Sequence, residues 1–459
     1  MLPKRRACVN RSVLDPQLAR DIVQQALDSG ANEAECTLAE GEEFGALVRM
    51  RELESLKDAG SRAAGLRVLI GKCVGSSYTS DLTSDGISHL VGSAIGIARI
   101  STEDPDAGLP DASELGSIDG DLQLYSEDVK DIDTGRRIQL AKEAEEAALS
   151  SDPRITNSEG ASFDSWSGER MFANSLGFIG AYRGSRCSLS VSPVARRNGA
   201  MERDYWFSSA RSFAGLESPG EVGRRAAERT LRRLGARKIP TQTATVVFEP
   251  RTARSLLEHI CDAIDGESIY RKASFLADKL GEKVASEQVT IIDDGTIPGL
   301  FGSSPFDDEG VPTRRTPVIE RGILKSWLLN TYTARKLGLA TTGNAARGLT
   351  GNAGVGHNNF FMEKGHRPPE DIIASIRRGL YVTELIGSGV NVVTGDYSRG
   401  VAGLWIENGE IAYPVSEVTI AANLADMLFR ISAIGADLEF RGSTASPTLA
   451  IEEMTISGT

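Results

Sequence analysis

Histidine is scarce in this 459-residue chain: there are four, at 89, 259, 357 and 366, and no two lie within a helical turn of each other. A hydrolytic zinc helix needs two imidazoles on one face and a carboxylate to take a proton from the metal-bound water. That pair is missing. The five cysteines, at 8, 36, 73, 187 and 261, are odd in number and irregular in spacing, with no C-x-x-C. Such usage points to reduced thiols and a cytosolic protein rather than a disulfide framework. No run approaches the roughly 18 apolar residues of a membrane span. The basic start, MLPKRRACVNRSVLDP, is followed by no apolar core, so a secretory signal is not expected there. Positive charge is in deficit. A net charge of -12 makes a poor polyanion binder, and the short runs Lys4-Arg5-Arg6, Arg196-Arg197, Arg232-Arg233 and Arg377-Arg378 extend into no patch. Nucleic acid and membrane are therefore not expected partners. There is no G-x-S-x-G, no P-loop Lys-Ser/Thr and no fixed-period repeat.

What is present describes a globular protein. Hydrophobic residues make up 40% and charged residues 25%, and the length allows two or three domains. LARDIVQQALDSGA has helical spacing and stops at Gly30. FGALVRMRELESLKDAG and AAGLRVLIGKCVGSSYT read as strands flanking a turn at Asp58-Ala59-Gly60-Ser61, and SDGISHLVGSAIGIARI returns to helix. Residues 101–120 are rich in Pro, Gly, Asp and Ser, as a linker would be. A helix over 134–149, a long β-rich tract and a helix over 219–237 make a second unit, and Lys238-Ile239-Pro240-Thr241 is the next boundary. The third unit opens with the strand TATVVFEP, includes a hairpin turn at Asn408-Gly409 and ends with the helix NLADMLFRISAIG. The pattern predicts an α+β fold: mixed sheets with helices, N-terminal α/β units followed by a β-rich C-terminal domain. The expected units are 1–120, 121–238 (β-rich with flanking helices) and 239–459.

Two stretches invite a functional role. In LLEHICDAIDG, His259 shares a helical face with Asp262 only, giving two ligands at most. The alternative is an amphipathic helix with Leu256, Leu257, Ile260 and Ile264 inward. The Gly-rich stretch 338–356 is either a plain loop or a cleft-lining one, with Arg347, His357, Asn358 and Asn359 supplying polar substrate contacts. Asp307, Asp308 and Glu309 could hold a cation, but Arg314 and Arg315 are expected to neutralise them.

The run PFDDEGVPTRRTPVIERGILKSWLLNTYTARKLGLATTGNA resembles the TldD/PmbA family, as do RITNSEGAS, MERDYWFSSARS and AAERTLRRLGARKIPT. The middle segments are similar to the PmbA (TldE) branch, and the likeness runs in order along essentially the whole chain. It implies a subunit of a cytoplasmic, metal-dependent peptidase acting on unfolded or flexible peptides, paired with a TldD-type partner. In the TldD branch a helix carries His-Glu-x-x-x-His after a Leu-Leu pair, and a cysteine near the C-terminus completes the zinc site. Here that register gives Glu258, His259 and Ala263, and the cysteine stretch reads Gly442-Ser443-Thr444-Ala445. The resemblance thus implies no metal ligand and no catalytic residue in this chain, with zinc held by the TldD-type partner. A non-enzymatic, client-binding regulator, as in the family label "modulator of DNA gyrase", is the alternative. An independent hydrolase would need a nucleophile and base that the sequence does not display.

Overall fold

The computed structural model describes residues 14–458; the basic opening stretch, with Cys8, lies outside them. The chain begins with α1 (Pro16–Asp28), capped by the Asp15 side chain. Strands β1 (Glu33–Arg49), β2 (Glu52–Ile70) and β3 (Cys73–Thr79) follow, then α2 (Ser84–Ile100). Past the linker come α3 (Asp128–Asp131), α4 (Thr134–Leu149), β4 (Ile155–Asn174), β5 (Ile179–Arg197), β6 (Ala200–Arg203), β7 (Trp206–Ala210) and α5 (Pro219–Leu231).

The linker does not divide the sheet. Strand β1 pairs with β2 on one side and with β4 on the other, from Glu35↔Asn174 to Val48↔Ala161. The described strands run β3-β2-β1-β4-β5-β6 in one antiparallel sheet, with β7 also on β5. The two expected units, 1–120 and 121–238, therefore share one sheet: a 17-residue strand has two edges to satisfy. Alternation along β1 explains how one face serves two helix pairs. Cys36 and Leu38 pack under α1 and α2, while Phe44, Ala46 and Val48 pack under α4 and α5.

The first hairpin turns earlier than the composition predicted. Strand β2 runs straight through Asp58–Ser61, and the chain reverses at Met50-Arg51, both with positive φ (49° and 70°). A distant group fixes this. Glu145, wholly buried on α4, accepts the Met50 N–H at 2.9 Å and the Arg51 N–H at 2.7 Å.

The C-terminal half contains α6 (Pro250–Ile264), α7 (Gly266–Tyr270), α8 (Thr331–Leu337), α9 (Pro369–Ala374) and α10 (Leu424–Phe429). Its strands are β8 (Gln242–Phe248), β9 (Ile291–Asp294), β10 (Arg315–Glu320), β11 (Ile323–Leu324), β12 (Ala345–Ala346), β13 (Gly354–Val355) and β14 (Asn359–Met362). They continue with β15 (Arg378–Asn391), β16 (Asp396–Glu407), β17 (Glu410–Asn423), β18 (Ile431–Ile434), β19 (Thr444–Ala445) and β20 (Leu449–Ser457). One sheet runs β17-β16-β15-β8-β20-β18, and a further β17–β20 pairing closes it on itself. A second runs β11-β10-β9-β14-β19, ending at β19. Helix α6 packs between them, its Leu256, Leu257, Ile260 and Ile264 in the same core as Phe248, Val382, Trp405 and Phe360. Fully burying each such side chain contributes about 1.5–3 kcal/mol. The expected final helix is cut short: Ile431–Ile434 alternates and pairs with β20. Strands and helices are intermixed without βαβ alternation, so the fold is α+β as expected. Among the described residues no helix is long and apolar enough to cross a membrane.

The two halves meet at a buried ion cluster. Glu35 and Arg67 face each other across β1 and β2, 2.9 Å apart. Arg347, reaching over from the Gly-rich loop, binds the same Glu35 oxygen. Glu35 is 1% exposed. Burial raises its carboxyl pKa, but the Arg347 and Arg67 guanidiniums outweigh that and leave it lowered. Beside the cluster Arg67 also holds Asn352 at 3.1 Å, and Gly65 lets the Leu349 backbone lie directly on β2, where any Cβ would overlap it.

Removing one partner of this cluster strands a buried charge. Arg347→Met should destabilise the protein by ~3–5 kcal/mol at pH 7, and by less near pH 4.5, where a Glu35 left without Arg347 takes up a proton. Denaturant unfolding at both pH values checks this, and a pH-independent loss below 1 kcal/mol would contradict it. Wild type keeps the Glu35 contribution above the ordinary carboxylate range and loses it only as pH falls through the lowered folded value. Gly65→Val should undock the 347–353 segment, seen as faster amide exchange there. Gly60→Ala, with only the Gly41 carbonyl at 4.0 Å, should not.

Candidate functional site

Helix α6 starts at Pro250, which needs no N–H partner. Its apolar stripe is buried and its other face carries Arg254, Glu258, His259 and Asp262. Glu258 is exposed and 3.9 Å from Arg254. The His259 ring is half-buried, edge-on to Tyr397 at 6.2 Å, with Arg399 Nη1 3.5 Å from its Nε2. Burial, then the Arg399 charge, lowers its pKa, against a smaller opposing effect of Asp262. A neutral ring could bind a metal, but a guanidinium stands at its outer nitrogen. Burial and four surrounding carboxylates push the Cys261 thiol well up, so little thiolate forms near neutrality. Ala263 is buried and donates nothing. Among the described residues no three His, Cys, Asp or Glu side chains are gathered as a metal ion requires.

Strand β19 lies against α6 and pairs in parallel with β14, Phe360 opposite Thr444. This brings Thr444 Oγ1 to 3.3 Å from His357 Nε2. His357 Nδ1 is 2.8 Å from the Asn358 carbonyl, so in the neutral ring Nδ1 carries the proton and the Thr444 hydroxyl donates to Nε2. His357 lines a cavity of about 330 Å³ between the halves, with Trp166 and Tyr182 of the first sheet and Arg211 just past β7 also on its wall.

The other three residues expected to contact substrate are placed differently. Asn358 is buried, its N–H and Nδ2 on Asp293 at 2.7 and 2.8 Å, although it borders the cavity. Asn359 is wholly buried, giving Nδ2 to the Asp294 carbonyl and the Ser303 hydroxyl and accepting the Gly302 N–H. Arg347 is committed to Glu35. Their polar atoms already have internal partners, so these three form the frame and His357 has its ring at the opening. The acidic run is not neutralised by Arg314 and Arg315. Asp308 pairs with Arg170 at 2.9 Å, and Arg315 stands 3.5 Å from Glu363. Asp307 receives three backbone N–H groups, from Glu309, Val311 and Ala345. Even so, burial and then the Glu309 charge raise its carboxyl to about 8. Sequence reasoning missed Glu35, Arg67 and Arg170. Their one signal was a charge placed where strand alternation turns a side chain away from the helices.

Three family profiles match this chain in order: PmbA/TldA metallopeptidase domain 1 over residues 34–98, the central domain over 127–234 and the C-terminal domain over 241–458. The chain belongs to the PmbA/TldD metallopeptidase family. It is 40% identical over 445 residues to a protein named metalloprotease PmbA from Escherichia coli O157:H7, covering 96% of each. It is 37% identical to a PmbA homolog from Haemophilus influenzae, covering 95% of this chain and 94% of the other. Its fold superposes on a candidate modulator of DNA gyrase from Bacteroides thetaiotaomicron with a TM-score of 0.91, at 29% identity, over 98% of this chain and all of that one. The two sequence relatives are thus named as metalloproteases, and the structural one as a modulator of DNA gyrase.

The Arg399–His259 contact gives a direct test of the family helix in this chain. The imidazole should titrate below its usual 6.5 by NMR, and Arg399→Gln should move the midpoint up. A midpoint unchanged by the substitution would remove Arg399 as a cause.

Proposed function

We propose that this chain is the PmbA/TldE-type subunit of a heterodimeric zinc peptidase, with the zinc in a TldD-type partner and unfolded or flexible peptides as substrate. The observation that carries the proposal is the polar face of α6 within a full-length family likeness. By the register of the resemblance, the metal positions are an exposed Glu258, a buried Ala263 and a neutral Thr444 hydroxyl. The base position is His259, which faces Arg399. This donor set does not fit a dication: one acid, no second imidazole and a fixed positive charge nearby. No catalytic step is therefore assigned to these residues. The contribution of this subunit is to close the substrate chamber and hold an extended peptide. Strand β19, last in its sheet, is where an extended peptide would pair by its backbone, and His357 beside it lines the adjoining cavity. Free thiols at Cys36, Cys73, Cys187 and Cys261 are in keeping with work in the cytoplasm.

The isolated chain should hold no stoichiometric zinc and cut no peptide, and should gain chelator-sensitive cleavage of a disordered peptide when mixed with a TldD-type subunit. His357→Ala should lower that cleavage mainly through KM. One tightly held zinc per isolated chain would overturn the proposal. The Bacteroides relative's description favours a second reading, a client-binding regulator. Tight peptide binding by the mixed subunits without cleavage would support it instead.

A further inference from the structure

A second cavity, of about 250 Å³, lies where the N-terminus of α6 meets β7 and β19, and nothing above uses it. Much of its wall is apolar, formed by Trp206, Phe207 and Tyr381. Five guanidinium groups line it, from Arg229, Arg232, Arg251, Arg254 and Arg441, against the carboxylates of Glu249 and Glu439. Among the lining residues arginines outnumber carboxylates five to two, with Asp204, Glu217 and Glu258 pairing with them from behind the wall.

Internal partners do not exhaust these donors. Arg229 gives both Nη atoms to Glu249, at 3.0 and 2.6 Å, with Asp204 3.3 Å away. Arg232 reaches Glu249 at 3.3 Å, and Arg251 reaches the Tyr205 carbonyl at 3.1 Å and Asp204 at 3.7 Å. Arg441 is held by Glu217, Glu439 and the Phe207 carbonyl. Among the described residues Arg254 has only Glu258, at 3.9 Å. Among the described residues the Nε atoms of Arg229 and Arg232 are buried without a partner, and Arg229 is just 8% exposed. An orphaned guanidinium N–H at such depth costs about 1–3 kcal/mol unless something binds it. Helix α6 points its start at the same space, and its N-cap, Glu249, makes no capping hydrogen bond with its side chain. The positive end of the helix dipole therefore adds to the guanidiniums.

We propose that this cavity binds the carboxylate of a peptide lying along β19, with an adjoining apolar side chain against Trp206 and Phe207. Forked guanidiniums match the two oxygens of a carboxylate, and Thr444 and Ala445 of β19 border the cavity. The inference rests on the peptide-binding part of the function proposed above. The carboxylate is the free C-terminus of the peptide or an Asp or Glu side chain within it.

Calorimetry on the isolated chain, with no metal and no partner, separates these. The probes are acetyl-Ala-Ala-Phe with a free carboxylate, the same peptide as its amide, and acetyl-Ala-Asp-Phe-amide. At least one acidic peptide should bind ten-fold or more tightly than the neutral amide, and which one does names the source. Arg254→Gln and Arg232→Gln should each shrink that advantage at least five-fold, with amide binding held and, for the more exposed Arg254→Gln, melting temperature held as well. Equal binding of the three peptides, no binding of any, or an advantage untouched by both substitutions would overturn the proposal. The readout needs no cleavage. A carboxylate preference without chelator-sensitive cleavage in the mixed subunits would sink the peptidase reading and leave this site standing.

Discussion

One buried carboxylate is shared by the two halves of this protein. Glu35 sits on the face of β1 that the helices do not cover, and it is shared by Arg67 of the neighbouring strand and Arg347 of the C-terminal half. A single carboxylate in low dielectric is tolerable only with such partners. The two arginines, each reaching it from a different element, fix how the Gly-rich loop lies on the sheet. From that loop the chain runs directly into His357, Asn358 and β14, so the seam also sets the cavity beside Thr444. The Asp293 carboxylate completes the frame by holding Asn344 and Asn358.

Helix α6 separates packing from polar chemistry on its two faces. Its apolar stripe fills the space between two sheets. Its polar face answers to different constraints. Arg399 on β16 stands at the His259 ring, and the cavity at the helix start is crowded with arginines rather than gathered for a cation. An arrangement rich in fixed positive charge favours the anionic parts of a ligand and disfavours a dication.

Much of the local structure was legible in the residues. The helices beginning at Pro16, Ser84 and Thr134 follow from caps and periodicity, and the Asn408-Gly409 turn has the positive φ values its chemistry predicts. The failures were tertiary. Asp58–Ser61 has turn composition, yet it lies mid-strand because Glu145, nearly a hundred positions on, binds the N–H groups of Met50 and Arg51. Ile431–Ile434 has helical neighbours, yet β20 offers it a ladder. Of the four polar residues picked near the Gly-rich loop, Arg347, Asn358 and Asn359 are frame, because their partners at 35, 293 and 294 come from remote strands.

The sequence by itself determined the principal helices, the α+β class and the small number of histidines and cysteines, since these depend on residue chemistry and short-range spacing. Tertiary structure alone decided that the first two units share a sheet. It also decided that Thr444 meets His357 and that five arginines converge at the start of α6. Those facts depend on which distant strands satisfy each other's backbone groups and which buried charges find partners, and no local pattern encodes either.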